Sequence, residues 1–480
     1  MTCFFTLGEG FCIEKYIRAS LLIRNPSCPP NEVFGARNKL REVPIKDNTV
    51  LRLFTYPEQK SEMQHHLSRS VTFEPEVREV VQEILTDIEN RGDAALYEYT
   101  ERFQGFRPGE AVVSSEEIRD AYEKADRDFI AILEEAYKNI TVFHELEAEK
   151  SFFHEQDNRV ILGRRVTPLE RVMLYVPGGK AAYPSSLLMN VVPARVAGVK
   201  EIFLTTPCDA DGKVNPHILA AAHVAGIDKI YKFGGAQAVA AFAFGTESVP
   251  KVDKITGPGN KYVAFAKKEV FGHVSIDSIA GPSEVAVIAD ESADPEFIVL
   301  DLFAQSEHDP DASSVLITDS EEMAGAVNRK ADEMMRTMER SDIIEQAFRT
   351  NGAIVLTKDI REACEVSNMI APEHLELHVR NSWEILPDLK HAGAIFMGSC
   401  SCESVGDYFA GPNHTLPTNG TARFFSPLSV RDFIKHTSII SYSKEQLAVS
   451  GEKIARFADH ERLQAHAEAV RARLRKLDRL

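Results

Sequence analysis

No stretch of this 480-residue chain approaches the ~18 consecutive apolar residues of a membrane-crossing helix, so a transmembrane protein is not expected. Near the N-terminus Glu9, Glu14 and Lys15 interrupt the apolar residues before a secretory signal core can form. Basic charge is also scarce. Against 72 Asp and Glu stand 55 Lys and Arg, a formal net charge of −17. A nucleic-acid partner, gripped through Lys and Arg on phosphates, is therefore not expected. The one basic cluster, Arg471, Arg473, Arg475 and Lys476, has helical spacing and reads as a solvated helix end. The seven cysteines, scattered from Cys3 to Cys402, include no C-x-x-C pair and supply no disulfide framework. Reduced thiols predict a soluble, cytoplasmic protein. The dinucleotide fingerprint G-x-G-x-x-G is missing as well, so pattern alone does not assign a standard dinucleotide site.

What is present is ordinary globular material, 44% apolar and 26% charged, long enough for two or more domains. Residues 1–48, with NPSCPPNE and no periodicity, read as a poorly ordered extension or a mis-assigned start. From Thr72 to Phe103 the pattern is helical, with Val80, Val81, Ile84 and Ile88 near helical spacing. Strand candidates VMLYV (172–176), EIFLTT (201–206), KIYKF (229–233) and VSIDSI (274–279) then alternate with helical segments. A second series contains VAVIAD (285–290), SVLITD, AIVLTK (353–358) and GAIFMG (393–398), again with helices between. Such alternation predicts an α/β protein with parallel sheets, ligands lying at the carboxyl ends of the strands. Glycine-rich turns at VPGGKAAYPSS, GGAQA and KITGPGNKY raise the odds of a ligand cleft.

Four segments carry candidate chemistry. In FAQSEHDPD (303–311) a helix expected to bury Phe297, Leu300 and Phe303 ends in polar residues. Ser292 or Asp294 can cap it, Pro295 suits its first turn and Pro310 helps end it. Residue type alone favours Glu307 with His308 as a metal pair. Helical geometry favours Gln305 with His308, which stand about 60° apart around the axis. In IAPEHLELHV, Pro372 restricts the preceding backbone and sets Glu373 and His374 at the mouth of a strand as an acid/base couple, while His378 reads as structural. The long loop ESVGDYFAGPNHTLPTNG (403–420) carries Asp407 and His414. In DHERLQAH (459–466), Glu461 and His466 would lie about 140° apart on one straight helix, and composition does not choose between them and Asp459 or His460.

In this order the segments LYVPGG, GGAQAVAAFAFGTESVPKVDKITGPGN, IDSIAGPSE, QSEHDPD, APEHL, GDYFAGPNHTLPT and ERLQAH resemble the histidinol dehydrogenase family, from about Leu51 to the C-terminus. The resemblance implies NAD-dependent oxidation of L-histidinol to L-histidine through L-histidinal, the last steps of histidine biosynthesis. It implies one zinc per subunit on Gln305, His308, Asp407 and His466, and a catalytic pair at Glu373 and His374. Substrate contacts would fall on Ser283, Gln305, His308, His374, Asp407, His414, Glu461 and His466, and NAD contacts on Tyr175, Gln237 and Asn260. A homodimer is implied too, its C-terminal tail crossing to the neighbour. A helix starting between Glu461 and His466 would then remove the spacing problem.

The architecture expected is two incomplete Rossmann-like parallel-sheet domains with small helical pieces at the termini. Residues 49–150 with 281–440 would form the first, metal-bearing domain and 151–280 the second, NAD-contacting one, followed by a helical tail at 441–480. Three rival readings were weighed. A related zinc- and NAD-dependent dehydrogenase would act on another small hydroxylated substrate; TARFFSPLSVRDFIKHTSII resembles the histidinol enzymes instead. A thiol-dependent aldehyde dehydrogenase would use Cys364, Cys400 or Cys402, but no activating histidine or oxyanion motif accompanies them. A zinc hydrolase or a non-catalytic binding protein leaves the NAD-contact set without a purpose.

Overall fold

Strands buried on both faces read as continuous apolar runs, and EVAVIA, SSVLIT and RVMLY are of this kind. In the computed structural model the described residues are 50–68, 73–107, 109–178 and 183–477, all within the unit Asn48–Leu480. The extension expected at 1–48 lies outside them. The strands in chain order are β1 (Arg52–Thr55), β2 (Phe152–Gln156), β3 (Val160–Pro168), β4 (Arg171–Tyr175), β5 (Glu201–Thr205), β6 (Ile230–Tyr231) and β7 (Lys254–Thr256). There follow β8 (Ser275–Ile276), β9 (Glu284–Ala289), β10 (Ser313–Thr318), β11 (Ala353–Leu356), β12 (His374–His378), β13 (Ala394–Met397) and β14 (Ile434–Ser441).

Two parallel sheets result, ordered β1-β11-β10-β9-β12-β13 and β6-β5-β4-β7-β8. Within each series the local order is third, second, first, fourth, fifth, the Rossmann-type winding with its reversal beside the first strand. β1 is added at the outer edge of the first sheet. A third, antiparallel sheet, β14-β3-β2, joins chain segments far apart in sequence and was not anticipated. The expected α/β class with parallel sheets and terminal helices is what the chain adopts.

Several details depart from the sequence reading. The helical stretch after Thr72 is two helices, Pro75–Arg91 and Asp93–Gln104, broken at Gly92 (φ +55°). Val80 is exposed, whereas Val77, Val81, Ile84 and Ile88 are buried. These helices bury against Met173, Phe203 and the alanine-rich helix Gly235–Phe244 of the second sheet. Ile130, Leu133 and Ile140 of the helix Arg127–Glu145 join Val172 and Leu174 on the same sheet. Much of 49–150 thus packs with the five-stranded sheet, since its apolar stripes match that sheet, while β1 joins the six-stranded one and the helix Lys60–Leu67 buries Met63 and Leu67 against it. In the helix Pro295–Ser306, Phe297 (47%) and Leu300 (40%) are exposed. The buried stripe there is Ile298, Val299, Leu302 and Phe303.

A buried cation joins the second sheet to the turn before β14. Lys254 Nζ at the start of β7 meets Asp432 Oδ1 at 3.0 Å, and Asp432 Oδ2 accepts from Ser429 N at 2.9 Å. Lys254 is 7% exposed in its side chain. Asp432→Ala strands that ammonium and should cost about 3 kcal/mol in urea unfolding, whereas Lys254→Met with Asp432→Ala should recover most of it. Equal losses in both proteins would show that the pair does not hold this junction.

Candidate active site

The amino ends of β9 and β12 lie side by side, with His374 in register with Val285. The helix Ile360–Ile370 ends at Ala371, whose φ of +54° is left-handed. Pro372 was expected to keep that residue out of the helical region, and it does, into αL instead of an extended form. The turn starts β12 with Glu373 buried beside Glu284, whose N–H donates to Glu373 Oε2 at 3.0 Å. His374 Nδ1 lies 3.1 Å from the Glu284 carbonyl oxygen. Among the described residues His374 Nε2 is left buried without a hydrogen-bond partner, 3.9 Å from Asp407 Oδ1.

Gln305 closes the other side. It is 1% exposed, and with its amide nitrogen turned inward that nitrogen lies 3.1 Å from the Glu284 carbonyl oxygen, 3.0 Å from Glu403 Oε2 and 2.9 Å from His374 Nδ1. Its Oε1 then faces away from these groups as an acceptor. The helix ends at Ser306, and His308 lies beyond it in an exposed turn, its N–H reaching back to Gln305 O at 3.4 Å. The two therefore do not share a regular helix as expected, because the last turn tightens before His308. His308 nevertheless acts electrostatically on both His374 and His414. Asp407 lies in a π-helical turn, Gly406–Ala410. Asn413 anchors the loop beside His414, donating to Met189 O at 2.6 Å. Ser283 is half-buried immediately before β9.

Carboxyl groups crowd this place beyond those singled out from sequence. Glu403 is buried, and its N–H donates to Glu376 Oε1 at 2.8 Å. Behind it His378 Nε2 stands 3.3 Å from both Asp301 Oδ2 and Glu376 Oε2. Burial, reinforced by the charges of Glu284 and Asp407, holds Glu373 well above the usual carboxylate range. Burial and the charges of Asp407, Glu373, Glu376 and Asp301 do the same to Glu403. Burial lowers the His374 imidazole to about 4, against the opposing pull of Asp407. His378 goes the other way: against burial, hydrogen bonds to the Asp301 and Glu376 carboxylates carry it up to about 9.

Among the described His, Cys, Asp and Glu side chains, His374, Glu403 and Asp407 bring ligand atoms within 4.8 Å of one another. So much negative charge in a dry place calls for protons or a cation, and the nitrogen and oxygen donors suit a borderline metal such as zinc. Of the expected ligands Gln305 and Asp407 stand here, with His308 at the rim. Glu461 and His466 are exposed in the tail and, among the described residues, make no hydrogen bond or ion pair to this cluster. Arg462 (φ +60°) separates the helix Lys444–His460 from the next, Gln464–Leu474, so a break does fall between Glu461 and His466. Sequence reasoning read His378 as structural but missed its partners Asp301 and Glu376, and also Glu284 and Glu403. The available signal was charge at otherwise apolar strand positions, as in EVAVIA and HLELH.

The residues expected to touch NAD sit at carboxyl ends in the second sheet. Tyr175 ends β4, and its hydroxyl accepts from Gly235 N at 3.0 Å. Gln237 is buried, its Oε1 without a partner among the described residues. Asn260 follows β7 and caps the helix Lys261–Val270 through Tyr262 N and Val263 N. The unpartnered Gln237 oxygen beside two glycine-rich turns suits a polar ligand such as a dinucleotide. The cysteine rival weakens here, since burial pushes the Cys364 thiol up to about 11, away from nucleophilic use.

A histidinol dehydrogenase family profile matches residues 67–474. This chain belongs to the histidinol dehydrogenase family. Its reaction class is therefore that of an oxidoreductase. The chain is 67% identical over 428 residues to the histidinol dehydrogenase of Chlorobaculum tepidum, covering 89% of this chain and all (100%) of that one. It is 50% identical to that of Clostridium acetobutylicum over 83% of this chain and 93% of the relative. The crystal structure of histidinol dehydrogenase from Elizabethkingia anophelis superposes with a TM-score of 0.85 at 38% identity, covering 90% of this chain and 100% of that one.

The carboxyl crowding has a measurable sign. A carboxyl held above its ordinary value of 4.5 is protonated in the folded protein where the unfolded chain is already ionised. Folding then takes up protons, and this contribution to stability falls as pH rises from about 4.5 through the folded value. Glu403→Gln keeps an acceptor for Gln305 and removes the charge. Chelator-treated protein carrying it should melt about 2 °C or more higher at pH 8, with little difference below about pH 4.5. A lower melting temperature at pH 8 would contradict the charge-crowding account.

Proposed function

We propose that this chain oxidises L-histidinol to L-histidine through L-histidinal, by two successive hydride transfers to NAD⁺, with one zinc ion per subunit. The observation that carries the reading is His374, buried and held neutral beside Asp407, its Nε2 without a hydrogen-bond partner among the described residues. Gln305, His308 and Asp407, with His466 of the partner subunit, would hold the zinc. When bound, zinc would orient the substrate through its nitrogen donors and polarise it. NAD⁺, held by Tyr175, Gln237 and Asn260, would accept hydride. Ser283, His414 and Glu461 of the partner subunit would complete the substrate pocket.

In this scheme His374 Nε2 takes the hydroxyl proton in the first oxidation. The aldehyde must be hydrated before a second hydride can leave, and Glu373, anchored by Glu284 N–H at 3.0 Å, takes a proton from the attacking water. Because burial raises its pKa, Glu373 is the stronger base once ionised. No cysteine nucleophile is needed, since the acid forms from a hydrate. Burial of the pair also keeps bulk water from the aldehyde.

A homodimer with shared sites is part of the proposal. Among the described residues the tail helices bury only Gly451, Ala455 and Ala467, while Ile440, Val449, Ile454, Phe457 and Leu463 stay exposed, an apolar face suited to a second copy. The four described free cysteines, Cys208, Cys364, Cys400 and Cys402, suit a reducing cytoplasm.

Two NADH should form per histidinol, turnover should stop on chelation and zinc should restore it; faster turnover of simple diols would reassign the substrate. His374→Asn should lower kcat on the order of 10²–10⁴-fold. Mixing His374→Asn subunits with His466→Ala subunits should recover activity, because one hybrid site carries both native residues. Failure of the mixture, with hybrids shown to form, would remove the shared site.

A further inference from the structure

The turn after β7 is held in a way that packing alone does not require. Gly257 has φ +108°, a conformation L side chains rarely adopt, and a Cβ there would overlap the Tyr175 carbonyl oxygen. Its N–H donates to Asp277 Oδ2 at 2.7 Å, and its carbonyl accepts from Lys267 Nζ at 2.8 Å. Lys267 and Asp277 also pair directly with each other, with side chains 2% and 5% exposed. One ion pair, hidden from water, thus grips both main-chain polar atoms of a single residue.

Taking an ammonium and a carboxylate out of water is costly, and apolar side chains of similar volume would fill the space at least as favourably. What apolar side chains could not do is satisfy the two buried polar atoms of Gly257. The pair also ties three strand ends together. Lys267 lies on the helix that Asn260 caps, Asp277 follows β8, and Gly257 packs against Tyr175 at the end of β4. Asp277 further opens the segment that runs to Ser283 and Glu284, pinned midway where Gly281 N donates to Thr418 Oγ1 at 2.7 Å.

We propose that Lys267 and Asp277 are positioning residues for the dinucleotide, a buried clamp that fixes the Gly257 peptide and thereby aims Asn260 and Tyr175. The assignment rests on the NAD⁺ reading above. It predicts a selective defect, because the clamp holds the cofactor side and touches none of Gln305, Glu373, His374 or Asp407.

The test uses the full-length, zinc-loaded enzyme, with NAD⁺ binding measured by calorimetry and KM determined separately for NAD⁺ and histidinol. Lys267→Met with Asp277→Asn keeps an acceptor for the Gly257 N–H, loses the donor to its carbonyl and leaves no unpaired charge. The expected result is at least a tenfold rise in Kd and KM for NAD⁺, with KM for histidinol changed less than twofold and the melting temperature within a few degrees of wild type. Lys267→Arg, which retains a donor, should keep most of the NAD⁺ affinity. If the double variant does not fold, Asp277→Asn alone is read by the same criteria. Unchanged NAD⁺ affinity overturns the assignment, as does a parallel loss of affinity for both substrates with a lowered melting temperature. A wild-type enzyme that binds no NAD⁺ overturns the cofactor reading itself, and the clamp with it.

Discussion

Carboxyl groups gathered in a dry place govern this structure. Glu284, Glu373, Glu376, Glu403 and Asp301 are buried along β9 and β12, from Glu373 at the amino end to Asp301 beside His378, and Asp407 closes the group. No arrangement of like charges at low dielectric is neutral in its consequences. The protein meets the problem by two routes. Around Asp301 and Glu376 it supplies a cation of its own, His378, which the pair carries up to about 9. Around Glu373, Glu403 and Asp407 the neighbouring imidazole is instead depressed to about 4 and stays neutral. One histidine completes a structural triad, and the other is left with a bare nitrogen.

The two parallel sheets repeat one winding order and use opposite ends. In the five-stranded sheet Tyr175 and Gly257 lie at the carboxyl ends of β4 and β7, where the winding reverses and ligands are expected in such folds. In the six-stranded sheet the equivalent strands are β9 and β12, but Glu373 and His374 stand at their amino ends. The general expectation fails for this sheet because the second is joined to it by 277–283, which runs from the end of β8 into the start of β9. That short segment puts the carboxyl side of one sheet and the amino side of the other on the same stretch of chain. Hydrogen bonds from Gly281 N to Thr418 Oγ1 and from Asn419 N to Glu284 Oε1 keep it against the 403–420 loop.

Much of the local architecture was legible. Runs such as VMLYV and VAVIAD announce doubly covered strands because every residue must face a layer, and the capping Asp294 with Pro295 announces its helix. Of the short strands, β6 and β8 with two residues each lie inside the candidates KIYKF and VSIDSI, whereas β7, with three residues inside a glycine-rich turn, was not legible. The antiparallel sheet escaped notice because β14 pairs with β3 across more than half the chain. Gln305 was visible by its spacing to His308, yet the turn that carries His308 out of the helix was not.

By itself the sequence determined the α/β class, the order of strands and helices, and the residue types able to hold a proton or a metal, since these follow from local periodicity, caps and composition. Tertiary structure alone decided which of those residues meet. Glu284 N reaches Glu373 across 89 positions and Glu403 N reaches Glu376 across 27, and both contacts exist only because parallel strands align their ends. It also decided which histidine is neutral and which is charged. That depends on how many carboxylates surround each ring and how little water remains, and no spacing along a chain records it.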